Sequence, residues 1–196
     1  GSRGVGKTST ARIIAKGLNC EDPANQNSPT IDPCGACSSC VSITESRHID
    51  VIEMDAASRT GVSDVREIIE NIDYKTVSAR FKVYIIDEVH MLSNSAFNAL
   101  LKTLEEPPPH VKFIFATTEI TKIPATVISR CQRFDLTRIE TSKINVHLEK
   151  ICNLEGISFS SNALSLISNT AGGSLRDALS ILDQLLQEVL HEKVLK

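Results

Sequence analysis

The chain opens on Gly1-Ser2-Arg3-Gly4-Val5-Gly6-Lys7-Thr8, which fills the pattern G-x-x-x-x-G-K-[ST] at every position. This octapeptide limits the fold more than any other stretch. Its glycines let backbone N–H groups turn inward around phosphate oxygens. Lys7 is placed to reach β- and γ-phosphates, and the Thr8 hydroxyl offers a coordination position to Mg²⁺. A helix must follow, aiming its positive end at the same anion. Ala11, Ile14, Ala15 and Leu18 recur at helical spacing, and Gly17 reads as a stop signal near the helix end. A strand launches such a loop, so the expectation is a fragment whose natural N-terminal strand precedes Gly1.

Residues 21–33 are rich in Pro, Asn, Asp and Ser and read as a loop. Three short apolar runs then read as buried parallel strands: Ile49–Ile52, Val83–Ile86 and Val111–Ala116. Helical patterns separate them over 62–72, with Ser63 as a cap, and over 95–104, stopped by Pro107-Pro108-Pro109. Strands alternating with helices predict a parallel α/β sheet. After about residue 141 only helical patterns remain, over 142–154, 161–170 and 174–190. In the last, Leu175, Ala178, Leu179, Leu182 and Leu186 share a face, and Ser174 with Asp177 resembles a capping box. The expected organisation is an α/β nucleotide-binding domain over 1–140 and a small helical domain over 141–196.

The second run ends Val83-Tyr84-Ile85-Ile86-Asp87-Glu88. A buried strand delivers Asp87 to the carboxyl edge of the sheet, where ligands bind in such folds. Asp87 would join Thr8 at Mg²⁺, and Glu88 would orient and polarise an attacking water. A loop and an acid pair in one chain favour hydrolysis over binding alone.

Six cysteines are present, four of them within residues 20–40. With no secretory pattern, such clustering favours a metal over disulfides. Cys34, Cys37 and Cys40, with Cys20 from the end of the first helix, make a closed set of four thiolates suited to structural zinc. The C-x₂-C-x₂-C spacing also opens an iron–sulfur motif, but Thr44 and Glu45 stand where its last Cys and Pro belong. Reduced, unliganded thiols are the remaining alternative. His48 reads as a solvated loop residue. The net charge of −3 gives no broad basic face, so composition points to no nucleic acid. No apolar run reaches 18 residues, so no membrane span is expected, and the compartment reads as cytoplasmic.

The phosphate loop, Gly17-Leu18-Asn19-Cys20, the cysteine triplet, Asp87-Glu88-Val89-His90-Met91-Leu92 and the run from Phe97 through Pro108 together resemble the bacterial DNA polymerase III tau/gamma family. Ala116-Thr117-Thr118-Glu119, Ser129-Arg130-Cys131 and Gly173-Ser174-Leu175-Arg176-Asp177-Ala178-Leu179 extend the likeness over nearly the whole chain. The resemblance implies a P-loop AAA+ fold with a zinc-binding insert at about 20–40 and a helical lid. It implies ATP, Mg²⁺ and Zn²⁺ as cofactors. Thr118 would be a sensor near the γ-phosphate, Arg130 an arginine finger acting on a neighbouring subunit's ATP, and Arg176 a second sensor from the lid. On the residues alone, Arg130 and Arg176 are simply arginines near helix ends.

The implied function is the ATPase subunit of a clamp loader, which places a sliding clamp on primed DNA alongside other clamp loader subunits. An oligomerising collar would lie beyond residue 196. Two rivals are a branch-migration helicase, disfavoured by the cysteine triplet and Ser129-Arg130-Cys131, and a non-hydrolysing scaffold subunit, disfavoured by an intact Lys7-Thr8. A simple phosphotransferase, needing no Arg130 in trans, is a weaker one.

Overall fold

The computed structural model of the chain describes residues 2–25, 28–58 and 62–194. The apolar runs form a parallel sheet in the order β1 (Val51–Asp55), β2 (Lys82–Asp87), β3 (Val111–Phe115). Its register sets Asp55 opposite Asp87. Val83, Tyr84, Ile85 and Ile86 are all buried in the central strand, as a strand covered on both faces requires. Alternate residues feed two cores. Tyr84 and Ile86 pack with Val65, Ile68, Phe97 and Leu100, while Val83 and Ile85 pack with Ala11, Ala15 and Ile43. Burying each such aliphatic side chain stabilises the fold by roughly 1.5–3 kcal/mol.

The first of these cores is made by α3 (Val62–Glu70) and α4 (Asn94–Glu105), the second by α1 (Lys7–Asn19) and α2 (Ser38–Thr44). Ser93 caps α4, its Oγ accepting from the Ala96 N–H at 3.2 Å. Three expectations need correction. Ser63 lies within the first turn of α3 rather than capping it. Ile14 is 44% exposed, so the inward face of α1 is narrower than its spacing predicts. Gly17 does not stop α1, which runs on to Asn19. Its small size serves a crossing instead: Thr30 N–H donates to the Gly17 carbonyl at 2.8 Å, and a Cβ on Gly17 would meet the Thr30 carbonyl oxygen at 2.5 Å.

β1 starts two residues later than its apolar run because Asp50 has another task. Its buried carboxylate accepts the N–H groups of Val77, Ser78 and Ala79 at 2.8–3.1 Å, pinning the loop that leads into β2. Burial pushes the Asp50 carboxyl up, but the N–H donors and nearby His48 hold it below its ordinary value. His48 is itself buried rather than solvated. Its Nδ1 accepts from Asp50 N–H at 3.1 Å, and its Nε2 lies 3.2 Å from Ser39 Oγ.

The chain divides into two compact units, one over 7–134 and one combining 2–6 with 135–194. In the second, α6 (Thr141–Leu154), α7 (Ser161–Thr170) and α8 (Leu175–Val194) bury Ile144, Leu148, Cys152, Leu164, Ile167, Ala178 and Leu182 together. No strand occurs there among the described residues. Ser174 lies just before α8, its Oγ accepting from Asp177 N–H at 3.2 Å, one half of the expected capping box; its own N–H donates to the Ala171 carbonyl at 3.0 Å instead. Among the described residues no helix is long and apolar enough to cross a membrane.

Candidate nucleotide site and cysteine cluster

The carboxyl edge of the sheet gathers several of the expected site residues. Thr8, on the first turn of α1, donates its hydroxyl to Asp87 Oδ2 at 2.5 Å. Lys7 is the first residue of α1 and is half-buried. Glu88 follows β2 in the left-handed region, at φ 45°, with its N–H donating to Asp87 Oδ1 at 2.9 Å. A non-glycine residue there carries backbone strain of about 1 kcal/mol or more, and such strain concentrates at functional positions. Glu88 Oε2 accepts from Thr118 N–H at 3.2 Å and from Thr118 Oγ1 at 2.9 Å. The loop after β3 is fixed by Ala116 N–H on the Ile86 carbonyl and Val89 N–H on the Ala116 carbonyl, at 2.9 and 3.0 Å. Thr8, Asp87, Glu88 and Thr118 therefore form one connected polar patch.

Within the other unit, the early part of the phosphate loop meets the start of α8. Gly4 and Gly6 adopt φ 72° and 91°, which side chains resist. Leu175 N–H donates to the Gly4 carbonyl at 3.1 Å, and a Cβ on Gly4 would lie 1.9 Å from Ser174 Oγ and 3.3 Å from Arg176 Cβ. Arg176 thus stands beside Gly4, with its residue exposed. Ser2 and Val5 are half-buried and Arg3 is exposed. Gly1 lies outside the described residues. Arg130 does not join the polar patch's hydrogen bonds: it is exposed, follows α5 (Ala125–Ile128), donates to the Thr126 carbonyl at 2.6 Å and is ion-paired with Glu105.

Sequence reasoning missed His90. Its side chain, 6% exposed, lies between two carboxylates, with Nδ1 3.3 Å from Glu88 Oε2 and Nε2 3.4 Å from Glu119 Oε1. Nδ1 is also 2.9 Å from Thr117 Oγ1. A His two places after an acidic pair is the available signal, but Glu119 is too distant along the chain to connect with it by spacing. Arg12 was missed as well. It braces α1 to β1 through two hydrogen bonds to Glu53, at 3.0 and 2.8 Å.

The sulfurs of Cys20, Cys34, Cys37 and Cys40 all lie within 4.8 Å of one another. Cys20 and Cys34 Sγ are 3.7 Å apart, close to the roughly 3.8 Å edge of a tetrahedron with Zn–S bonds of ~2.3 Å. Backbone N–H groups of Glu21, Cys34, Cys37 and Cys40 donate to these sulfurs at 3.3–3.5 Å, as suits thiolates. Burial pushes the Cys20 thiol up, yet N–H groups of Cys34 and Asp22 and the adjoining thiols bring it down to about 7. The same opposition lowers Cys37, whereas burial carries Cys40 up to about 12. The four residues fit a four-coordinate thiophilic ion. Arg80 supports the cluster from behind, donating to the Leu18 and Cys20 carbonyls at 3.1 and 2.7 Å and so capping α1. Asn19 adds a two-way link to the Phe81 backbone, each bond 2.9 Å.

Residues 1–140 match the protein family described as "DNA polymerase III, delta subunit". The chain belongs to this DNA polymerase III family. Residues 143–188 match "DNA polymerase III clamp loader subunit, ATPase lid domain", the segment that holds most of α6, all of α7 and most of α8. Among similar proteins of this DNA polymerase III family, a DNA polymerase III subunit tau of Salmonella typhimurium is 55% identical over 184 residues, 94% of this chain and 28% of its own length. Its Bacillus subtilis counterpart is 52% identical over 94% of this chain and 32% of its own length. The chain therefore spans about a third or less of these two relatives. Of solved structures, a Thermotoga maritima RuvB Holliday junction branch migration motor superposes with a TM-score of 0.68, covering 98% of this chain and 54% of that one. At 16% identity the likeness speaks for the AAA+ fold and nothing finer.

Proposed function

We propose that this chain is the nucleotide-hydrolysing part of a clamp loader ATPase subunit, which uses ATP binding and hydrolysis to load a sliding clamp onto primed DNA. The observation that carries the reading is the linked patch Thr8–Asp87–Glu88–Thr118 at the carboxyl edge of the sheet, directly after a phosphate loop. Family membership supports it, as does the tau identity of the relatives. The assignment covers a nucleotide-binding domain over 1–140 and a lid over 141–196.

In this reading residues 1–8 cradle the phosphates, with Lys7 reaching the β- and γ-phosphates. The Thr8 hydroxyl and Asp87 carboxylate, already in contact, are hard oxygen donors that suit Mg²⁺. When bound, the ion neutralises phosphate charge. Glu88, anchored through Oε2, orients the attacking water. Thr118, bonded to Glu88, would serve as the γ-phosphate sensor. Arg176 approaches the phosphate loop at Gly4, consistent with a lid sensor. Arg130, exposed, is suited to a neighbouring subunit's nucleotide. Cys20, Cys34, Cys37 and Cys40 would hold a structural zinc. Other clamp loader subunits, the clamp and primed DNA are the partners, in the cytoplasm.

The test is Glu88→Gln in the full-length subunit, assembled with its partners. Turnover should fall by about 10²-fold or more with Mg·ATP binding retained. Unchanged turnover removes Glu88 from the water-positioning role. A scaffold subunit would instead show no Mg·ATP affinity at all.

A further inference from the structure

Nothing in the assigned site accounts for His90, a nearly buried ring with polar partners at both nitrogens. Its Nδ1 lies 2.9 Å from Thr117 Oγ1 and 3.3 Å from Glu88 Oε2, and its Nε2 lies 3.4 Å from Glu119 Oε1. Thr117 Oγ1 in turn accepts Glu119 N–H at 3.0 Å. The ring therefore bridges two segments: the short turn after β2 that carries Glu88, and the loop after β3 that carries Thr117, Thr118 and Glu119. Glu88 is contacted on Oε2, by Thr118 and His90. Among the described residues its Oε1 has no protein partner. A carboxylate anchored on one oxygen and open on the other is what orienting a water demands.

We propose that His90 is a positioning residue for the hydrolytic reaction. It locks the Glu88 carboxylate to the loop bearing Thr118, so that any displacement of Thr118 by nucleotide reaches Glu88. The inference rests on the reading of Glu88 as the water-orienting group. Glu119 is the outer anchor: its carboxylate also pairs with Lys122 and fixes the far side of the ring. A His turned by ring nitrogens at both ends has one orientation, which a packing role would not require.

The experiment uses the full-length subunit assembled with partner subunits, clamp and primed DNA. His90→Phe keeps the ring size and removes both nitrogens. His90→Gln keeps a side-chain donor. Glu119→Ala removes the outer anchor at an exposed site. The expected result is a fall in kcat of about 10- to 100-fold in His90→Phe, with KM for ATP and Mg·ADP affinity within about 2-fold of the parent. His90→Gln should recover to within about 3-fold of the parent, and Glu119→Ala should lose several-fold in kcat alone. Equal losses in His90→Phe and His90→Gln overturn the proposal, as does a fall accompanied by lost nucleotide binding, which marks a packing role. Glu88→Gln runs in parallel. If it abolishes turnover while His90→Phe is unaffected, the His90 role fails alone. If Glu88→Gln turns over normally, the reading of Glu88 fails and His90 loses its target.

Discussion

Asp50 and Glu88 are carboxylates of opposite legibility. The position of Glu88 is readable, since an apolar run ending in an acid pair marks the carboxyl end of a buried strand. Asp50 sits inside an apolar run and gives no sign that the backbone of 77–79 will close around it, because partners 27 to 29 residues away have no local pattern. Its depressed titration makes a pH prediction. A carboxyl held below its ordinary value of about 3.9 contributes stability that is complete above that value and is lost as pH falls through the lower folded value. Asp50→Asn should therefore cost about 2–3 kcal/mol at neutral pH. The gap from the parent should close on acidification below about pH 4. Denaturant melts of the two proteins across that range check it, and a pH-independent gap would contradict it. His90 was hidden for the same reason as Asp50: both its carboxylate neighbours matter, and only one is near in sequence.

At the scale of elements, the strands were legible as apolar runs and their parallel pairing as alternation with helices. β1 shifted because hydropathy counts Ile49, which is 62% exposed, and cannot see what Asp50 binds. α2 was folded into a cysteine-rich segment whose spacing signals thiol chemistry more loudly than helix. Gly17 misled because a glycine late in a helix resembles a terminator, whereas the Thr30 crossing that needs it is a tertiary contact. The cysteine triplet itself was fully legible, and the structure brings Cys20 to it from the end of α1. The assignment of zinc predicts about one zinc per chain by elemental analysis after purification without chelator. Cys40→Ser, at a buried position, should lose the metal and lower Tm by several degrees. A metal-free protein with an unaltered melting curve would return the cluster to plain thiols.

At the scale of the whole molecule, each unit has its own apolar core; the helical pattern expected after about residue 141 corresponds to α6, which starts at Thr141, while the units divide between 134 and 135. Less readable was the destination of residues 2–6, which lie against the start of α8 through Gly4 and Leu175. Hydrogen bonds of that kind leave no periodic trace. Arg130 belongs to this scale too. Exposed and paired with Glu105 in its own chain, it gains its proposed purpose only beside another subunit. Arg130→Ala should leave the slow turnover of an isolated full-length subunit unchanged, yet reduce turnover in the assembly by about 10³-fold. Equal effects in both settings would make Arg130 a residue of its own active site.

α1 is a rod of 13 residues, about 20 Å long at 1.5 Å per residue. Thr8 is moored to Asp87 at its head, while Asn19 and Arg80 hold its tail beside Cys20. A beam clamped at both ends transmits a tilt from one to the other. The proposed zinc would thus steady the tail of α1, and removing it should loosen the Thr8–Asp87 contact at the head.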